Sequence, residues 1–210
     1  YTTEKVLDLG GKVITLSDSG GYIHDPDGVD REKLAFVMDL KNVRRGRISA
    51  YVEKYPNATY TAVDPSLDYN PIWDHEAACA FPSATQNEVN VKDAANLLAK
   101  GVYVVSEGAN MPSTPDAVNV FLDKGILYGP GKAANAGGVS VSGLEMSQNS
   151  LRMSWSREEV DGHLARIMKS IHTSCIEAAN AVGTPGNYVN GANIAGFLKV
   201  ADSMMDQGLV

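Results

Sequence analysis

Short apolar runs alternate with amphipathic stretches along this chain, and that rhythm sets the first expectations. Residues 12–17 (KVITLS) are rich in β-branched side chains and stop at the turn residues Asp18-Ser19-Gly20-Gly21, as a strand does. Further strands are expected at 78–81, 102–105 and 125–128. Helical periodicity covers 1–9, 30–42, 44–55 and 91–99. Thr114-Pro115-Asp116 opens another helix with a capping hydroxyl, a first-turn proline and an acid near the positive helix end. Residues 22–28 read as a short hairpin, and 58–74, rich in turn residues, as a long surface connection. From Ser156 the pattern lengthens. Ser156 with Glu159 fits a capping box for a helix reaching about 182, and a last helix is expected from about 193 to 207.

Strands and helices alternating at these lengths imply an α/β fold: a Rossmann-like, mostly parallel sheet with helices on both faces, plus long C-terminal helices. Residues 1–150 are expected to form a dinucleotide-binding domain lacking its first strand and glycine-rich turn. Residues 151–210 are expected to supply helices that pack toward a substrate domain outside this chain. Tyr1 already lies in a helical pattern with no capping approach, so the chain is expected to begin inside an architectural unit.

Composition narrows the function classes. The chain has 210 residues and a net charge of −7, which leaves no broad basic face for nucleic acid. No apolar run approaches the roughly 18–20 residues that span a bilayer, so no membrane partner is expected. Cys79 and Cys175 lie far apart and nothing forces a disulfide; a reducing compartment follows, cytoplasmic, with an organelle not excluded. Asn57-Ala58-Thr59 is read as a chance sequon.

In open parallel sheets ligands sit at the carboxyl ends of the strands. Here those ends are runs of small and amide-bearing residues: 17–21, 82–87, 107–112 and 129–138. Small residues let backbone approach a ligand, and the amides and hydroxyls supply uncharged donors and acceptors. Asp18, after its strand, suits ribose hydroxyls and points to NAD. Ser17 and Ser19, with Lys41, Arg44, Arg45 and Arg47 one helix further on, suit a 2′-phosphate. The cluster favours NADP, with NAD as the alternative. Gly129-Pro130-Gly131-Lys132 lacks the spacing of a phosphate loop, and His172 with Cys175 lacks a third metal ligand, so no metal site is expected. Met204-Met205 is read as core packing.

Five segments carry a family resemblance: Ala84-Thr85-Gln86-Asn87, 107–112, 131–139, 142–149 and 191–197. In order, and across essentially the whole chain, they resemble hexameric glutamate dehydrogenases. Residues 15–19 and the Asp25-Pro26-Asp27-Gly28 turn look like the NADP-specific branch. The resemblance implies reversible reductive amination of 2-oxoglutarate with ammonia and NADPH to L-glutamate, in a homohexamer when full-length. It places Ser17, Ser19, Lys41 and Arg47 at the 2′-phosphate end of the coenzyme, with Asp18 counted among the coenzyme-binding residues, and Thr85, Gln86, Asn110 and Asn135 along the nicotinamide ribose and ring. Val139 would contact the aliphatic part of the substrate and the Ser142 hydroxyl its distal carboxylate; the rival reading of Ser142 is a hydroxyl bonded within its own helix. The lysines and aspartate of the acid–base chemistry match nothing here. No catalytic residue is therefore expected in these 210 residues, which alone should be inactive. A non-catalytic nucleotide-binding or interaction module is the alternative of a different class.

Overall fold

The β-branched run forms strand β1 (Val13–Asp18), preceded by helix α1 (Thr2–Asp8), and turns through Ser19-Gly20 directly into β2 (Gly21–Val29). The computed structural model describes residues 1–208 and divides into two units, Tyr1–His75 and Glu76–Val210. In the first, β1 and β2 pair antiparallel, and β2 pairs antiparallel with β3 (Thr59–Ala62) in the order β1-β2-β3. This part of the chain departs from the parallel arrangement expected of it. A parallel pair needs a crossover of a dozen or more residues, whereas a two-residue link can only close a hairpin. The segment 22–28 is accordingly one arm of that hairpin and not a hairpin itself. β3 lies inside the expected surface connection; three of its four residues are exposed, so no alternation marks it.

Helix α2 (Arg31–Met38) starts where the Asp30 carboxylate accepts the Lys33 amide, and it runs on into a π-helical turn, Asp39–Val43. The helix expected from Arg44 is broken. Arg45 takes φ +56°, and after a 3₁₀ turn at Ile48–Ala50 only α3 (Tyr51–Lys54) is helical. The break sends the Ile48 amide to Asp18 instead of up a helix. Ile23, Val29, Leu34, Ile48, Tyr51 and Ala58 form the core of this unit. Asp25 is buried among them, its side chain 1% exposed. Its Oδ2 accepts from Lys33 Nζ at 2.8 Å and Tyr51 Oη at 2.6 Å, and its Oδ1 from the Asp27 amide at 3.0 Å. Burial pushes the Asp25 carboxyl up, but Lys33 and Tyr51 outweigh it and hold the group below its ordinary 3.8.

The second unit is built on a parallel sheet, β4 (Cys79–Ala80), β5 (Val104–Ser106) and β6 (Leu127–Gly129), in that order. Helix α4 (Val91–Ala99) leaves through an Asn90/Asp93 capping box. Helix α5 (Pro115–Lys124) has the expected Thr114 cap and first-turn proline, and ends on Gly125 in the left-handed region. A single turn α6 (Gly131–Ala134) and helix α7 (Gly137–Leu151) follow β6. The Ser156/Glu159 box opens α8 (Arg157–Ala181) as expected. The last helix, α9 (Tyr188–Gln207), begins earlier than expected because Asn187 caps it. The class is thus α/β with long C-terminal helices. Among the described residues no helix is long and apolar enough to cross a membrane.

Helices α8 and α9 meet at Gly191, where a Cβ would stand 2.1 Å from the Cys175 carbonyl oxygen. Cys175 is buried there, and Cys79 is free and exposed. Burial on α9 is concentrated in its first half. Met204 and Met205, expected in the core, are 61% and 81% exposed, because the far half of the helix has left that contact.

Two outcomes follow. Gly191→Ala must push α9 off α8 and is expected to lower stability by about 1–3 kcal/mol, read from the urea midpoint. Lys33→Met leaves Asp25 buried without its cation and is expected to cost about 3 kcal/mol at pH 7. The wild-type contribution of Asp25 is fully present above 3.8 and lost as pH falls through the lower folded value. Lys33 is raised above 10.5, first by its bond to Asp25, so its contribution is lost only as pH rises through that folded value. An acid titration followed by circular dichroism should be shallower in the Met variant.

Candidate functional site

At the end of β1 an acid is turned inward and cations are turned outward. Asp18 Oδ2 accepts from Lys41 Nζ at 2.6 Å and the Ile48 amide at 2.8 Å, and Oδ1 accepts the Gly20 amide at 2.9 Å. Its side chain is only 10% exposed. Burial raises its pKa, but Lys41 and the two amides bring it below the usual carboxylate value. Lys41 also donates to the Gly46 carbonyl at 2.9 Å. Outside this knot Arg47 donates to Ser19 Oγ at 2.6 Å, with both residues exposed, and Ser17 is exposed beside them. A ribose diol asks for a free carboxylate, whereas a phosphate asks for guanidinium and hydroxyl donors with no uncompensated acid. Asp18 is already neutralised and saturated, so this donor set suits a phosphate.

The C-terminal edge of the parallel sheet is organised by another buried acid. Glu107, just past β5 and 3% exposed, accepts from Tyr128 Oη at 2.6 Å, the Gly131 amide at 2.7 Å and the Ser113 amide at 3.3 Å. Burial and the Glu107 charge push the Tyr128 phenol far above its ordinary value, so it stays a donor. The buried Gly131 amide at the start of α6 is taken by the protein's own carboxylate. Gly131 is needed for that approach, since a Cβ would lie 2.6 Å from the Ala109 carbonyl oxygen.

The loop after β5 is stitched to the loop after β4. The Gly108 amide reaches the Pro82 carbonyl at 2.8 Å, Asn87 reaches Met111 at 3.0 Å, and Val89 reaches Pro112 at 2.9 Å. On this edge Asn135 Nδ2 donates to Asn110 Oδ1 at 2.7 Å and to the Ala109 carbonyl at 3.0 Å. Thr85 and Gln86 are exposed on the neighbouring turn. The edge therefore presents neutral amides and hydroxyls on a framework fixed from beneath.

A model of the Glutamate/Leucine/Phenylalanine/Valine dehydrogenase family matches residues 1–208. The chain belongs to this dehydrogenase family. It is 56% identical over 209 residues to an NAD(P)-specific glutamate dehydrogenase of Xylanibacter ruminicola and 53% identical over 210 residues to an NADP-specific one of Giardia intestinalis. In both cases the whole chain is covered but only 46% of the relative, so the chain spans less than half the length of these proteins. The crystal structure of Plasmodium falciparum glutamate dehydrogenase superposes with a TM-score of 0.93 at 46% identity, covering 100% of this chain and 44% of that one.

Set against this dehydrogenase frame, the expected site residues divide. The structure brings Asp18 together with Lys41, Ser19 with Arg47, and Asn110 with Asn135. Val139 and Ser142 are exposed on α7, and the Ser142 hydroxyl donates to the Gly138 carbonyl at 3.2 Å, the intrahelical bond of the rival reading. To serve a carboxylate that hydroxyl must rotate away from its own helix. Lys132, set aside as a phosphate-loop lysine, donates to Asn193 Oδ1 at 2.5 Å and ties α6 to α9. His172 is exposed and bonded to Tyr188 Oη, while Cys175 is buried.

Reasoning from sequence missed Glu107. The available signal was an acid directly after an apolar strand, amid small residues and with no nearby cation, which is where backbone amides must supply the compensation. Glu107→Gln is expected to destabilise the protein by about 2 kcal/mol or more, because the new NH₂ faces one of three donors that need an acceptor. The urea midpoint checks this.

Proposed function

We propose that this chain is the coenzyme-binding part of an NADP-dependent glutamate dehydrogenase, which reversibly converts 2-oxoglutarate, ammonia and NADPH to L-glutamate. The observation that carries the coenzyme assignment is the exposed Arg47–Ser19 pair beside an Asp18 already neutralised by Lys41. In this reading Ser17, Ser19, Lys41 and Arg47 hold the 2′-phosphate, with Asp18 setting Lys41. Thr85, Gln86, Asn110 and Asn135 hold the nicotinamide ribose and ring. The bound coenzyme supplies the hydride; the protein supplies orientation and charge. Val139 offers an apolar surface to the substrate chain, and Ser142 a neutral donor to its distal carboxylate. A homohexameric full-length protein in a reducing compartment, the cytoplasm first, completes the proposal; the two free cysteines agree with it.

Fluorescence titration of the full-length protein tests the coenzyme. NADPH is expected to bind more tightly than NADH, and equal or tighter NADH binding overturns NADP. Arg47→Ala removes one charge-assisted contact, so NADPH affinity should fall roughly 10- to 100-fold while NADH affinity stays within about twofold. These 210 residues purified alone are expected to show no NADPH-dependent amination of 2-oxoglutarate, and steady turnover would refute the division of labour proposed here.

A further inference from the structure

One acid on the β4 turn has no part in the reading above. Glu88 follows Thr85-Gln86-Asn87, and its Oε1 accepts the Ala84 amide at 2.8 Å; the neighbouring Thr85 amide favours the charged form of the same carboxyl. The side chain therefore reaches back across the inside of the turn. Its own end of the turn is fixed: Val89 is fully buried, its amide donates to the Pro112 carbonyl, and its carbonyl accepts the Thr114 amide. The other end is held where the Gly108 and Ala109 amides meet the Pro82 carbonyl. Thr85 and Gln86 are exposed between these anchors, where an unrestrained turn of small residues would sample many conformations.

The placement of this acid is costly. Half-burial pushes the Glu88 carboxyl above its ordinary value, and the nearby Glu107 charge adds to that, against the lowering by the Ala84 and Thr85 amides. An acid kept near another acid, away from free solvent, offers the protein chiefly the bonds it makes. The bond falls on Ala84, the residue directly before one expected at the coenzyme.

We propose that Glu88 is a positioning residue: by drawing the Ala84 amide onto its carboxylate it closes the turn and fixes Thr85 and Gln86 in the geometry that receives the nicotinamide-ribose end of the coenzyme. The inference rests on the NADP reading above and deepens it. Acceptor reach is what matters, not charge, because the Ala84 N–H needs an oxygen at the right place.

The test uses the full-length protein with E88L, E88Q and E88D, measuring Kd for NADPH and NADH, kcat and Tm. E88L, which has no acceptor, is expected to lower kcat by roughly 10- to 100-fold and to weaken NADPH and NADH by the same factor, so the preference between them is unchanged. E88Q keeps a carbonyl oxygen at the same reach and should recover most of the loss. E88D keeps the charge but sets it back by one methylene and should not. If E88L fails to fold, the E88Q and E88D pair carries the comparison. The inference is overturned if E88D matches the wild type, if E88Q is as poor as E88L, or if E88L lowers Tm without moving kcat or Kd. Wild-type protein that binds neither coenzyme overturns the NADP reading and this inference with it. Normal wild-type binding with unaltered variants overturns the inference alone.

Discussion

The edge of the parallel sheet depends on the buried carboxylate of Glu107. The strands beneath it are two or three residues long and supply few ladder bonds of their own. A buried carboxyl must be compensated by donors, and here they come from β6, from the first turn of α6 and from the end of the β5 loop. One side chain thereby fixes three segments that the short strands could not align. The Asn110–Asn135 pair and the stitched β4 and β5 loops stand on that framework. Without it, their amides would have no defined direction.

The first unit uses the same device twice. Asp25 joins β2, α2 and α3 through Lys33 and Tyr51, and Asp18 joins the end of β1 to Lys41 and the Ile48 amide. In a chain of net charge −7, acids at strand ends would repel an anionic ligand if left free. Consumed by amides and lysines, they become supports, and the surface they leave is cationic at Arg47 and neutral at the sheet edge. Turning the acids inward is what the NADP reading proposed above requires of an acidic protein.

Much of this was legible from residues alone where the signal is local. Caps are local: Thr114, Ser156 and Glu159 announce their helices because a side chain and an amide three residues apart suffice. The small residues at strand ends were equally plain, while the individual contacts proposed on them came from the family resemblance. Pairing partners are not local. β3 carries no alternation and is defined only by β2 beside it, and the hairpin of β1 and β2 is written in the length of its link more than in its composition. The helix expected from Arg44 failed because Arg45 adopts a left-handed backbone that periodicity does not report. Met204 and Met205 have core spacing, yet helical spacing says which residues share a face and not whether anything covers it.

The same distinction explains why the polar supports were harder to read than the presented groups. Asn110, Asn135, Thr85 and Gln86 belong to runs whose composition differs from ordinary loops, so they stand out as a set. Glu107, Glu88 and Asp25 are single acids in an acid-rich chain, and each is identified by what faces it in three dimensions. Each also holds more than one segment or amide, so its removal is felt at residues it does not touch. In the reading proposed above the presented amides meet the ligand, whereas the acids beneath hold the segments that carry them. A family that varies its substrate among related amino acids on one framework is physically consistent with that order of dependence: the supports constrain the fold, and the contacts above them constrain the ligand.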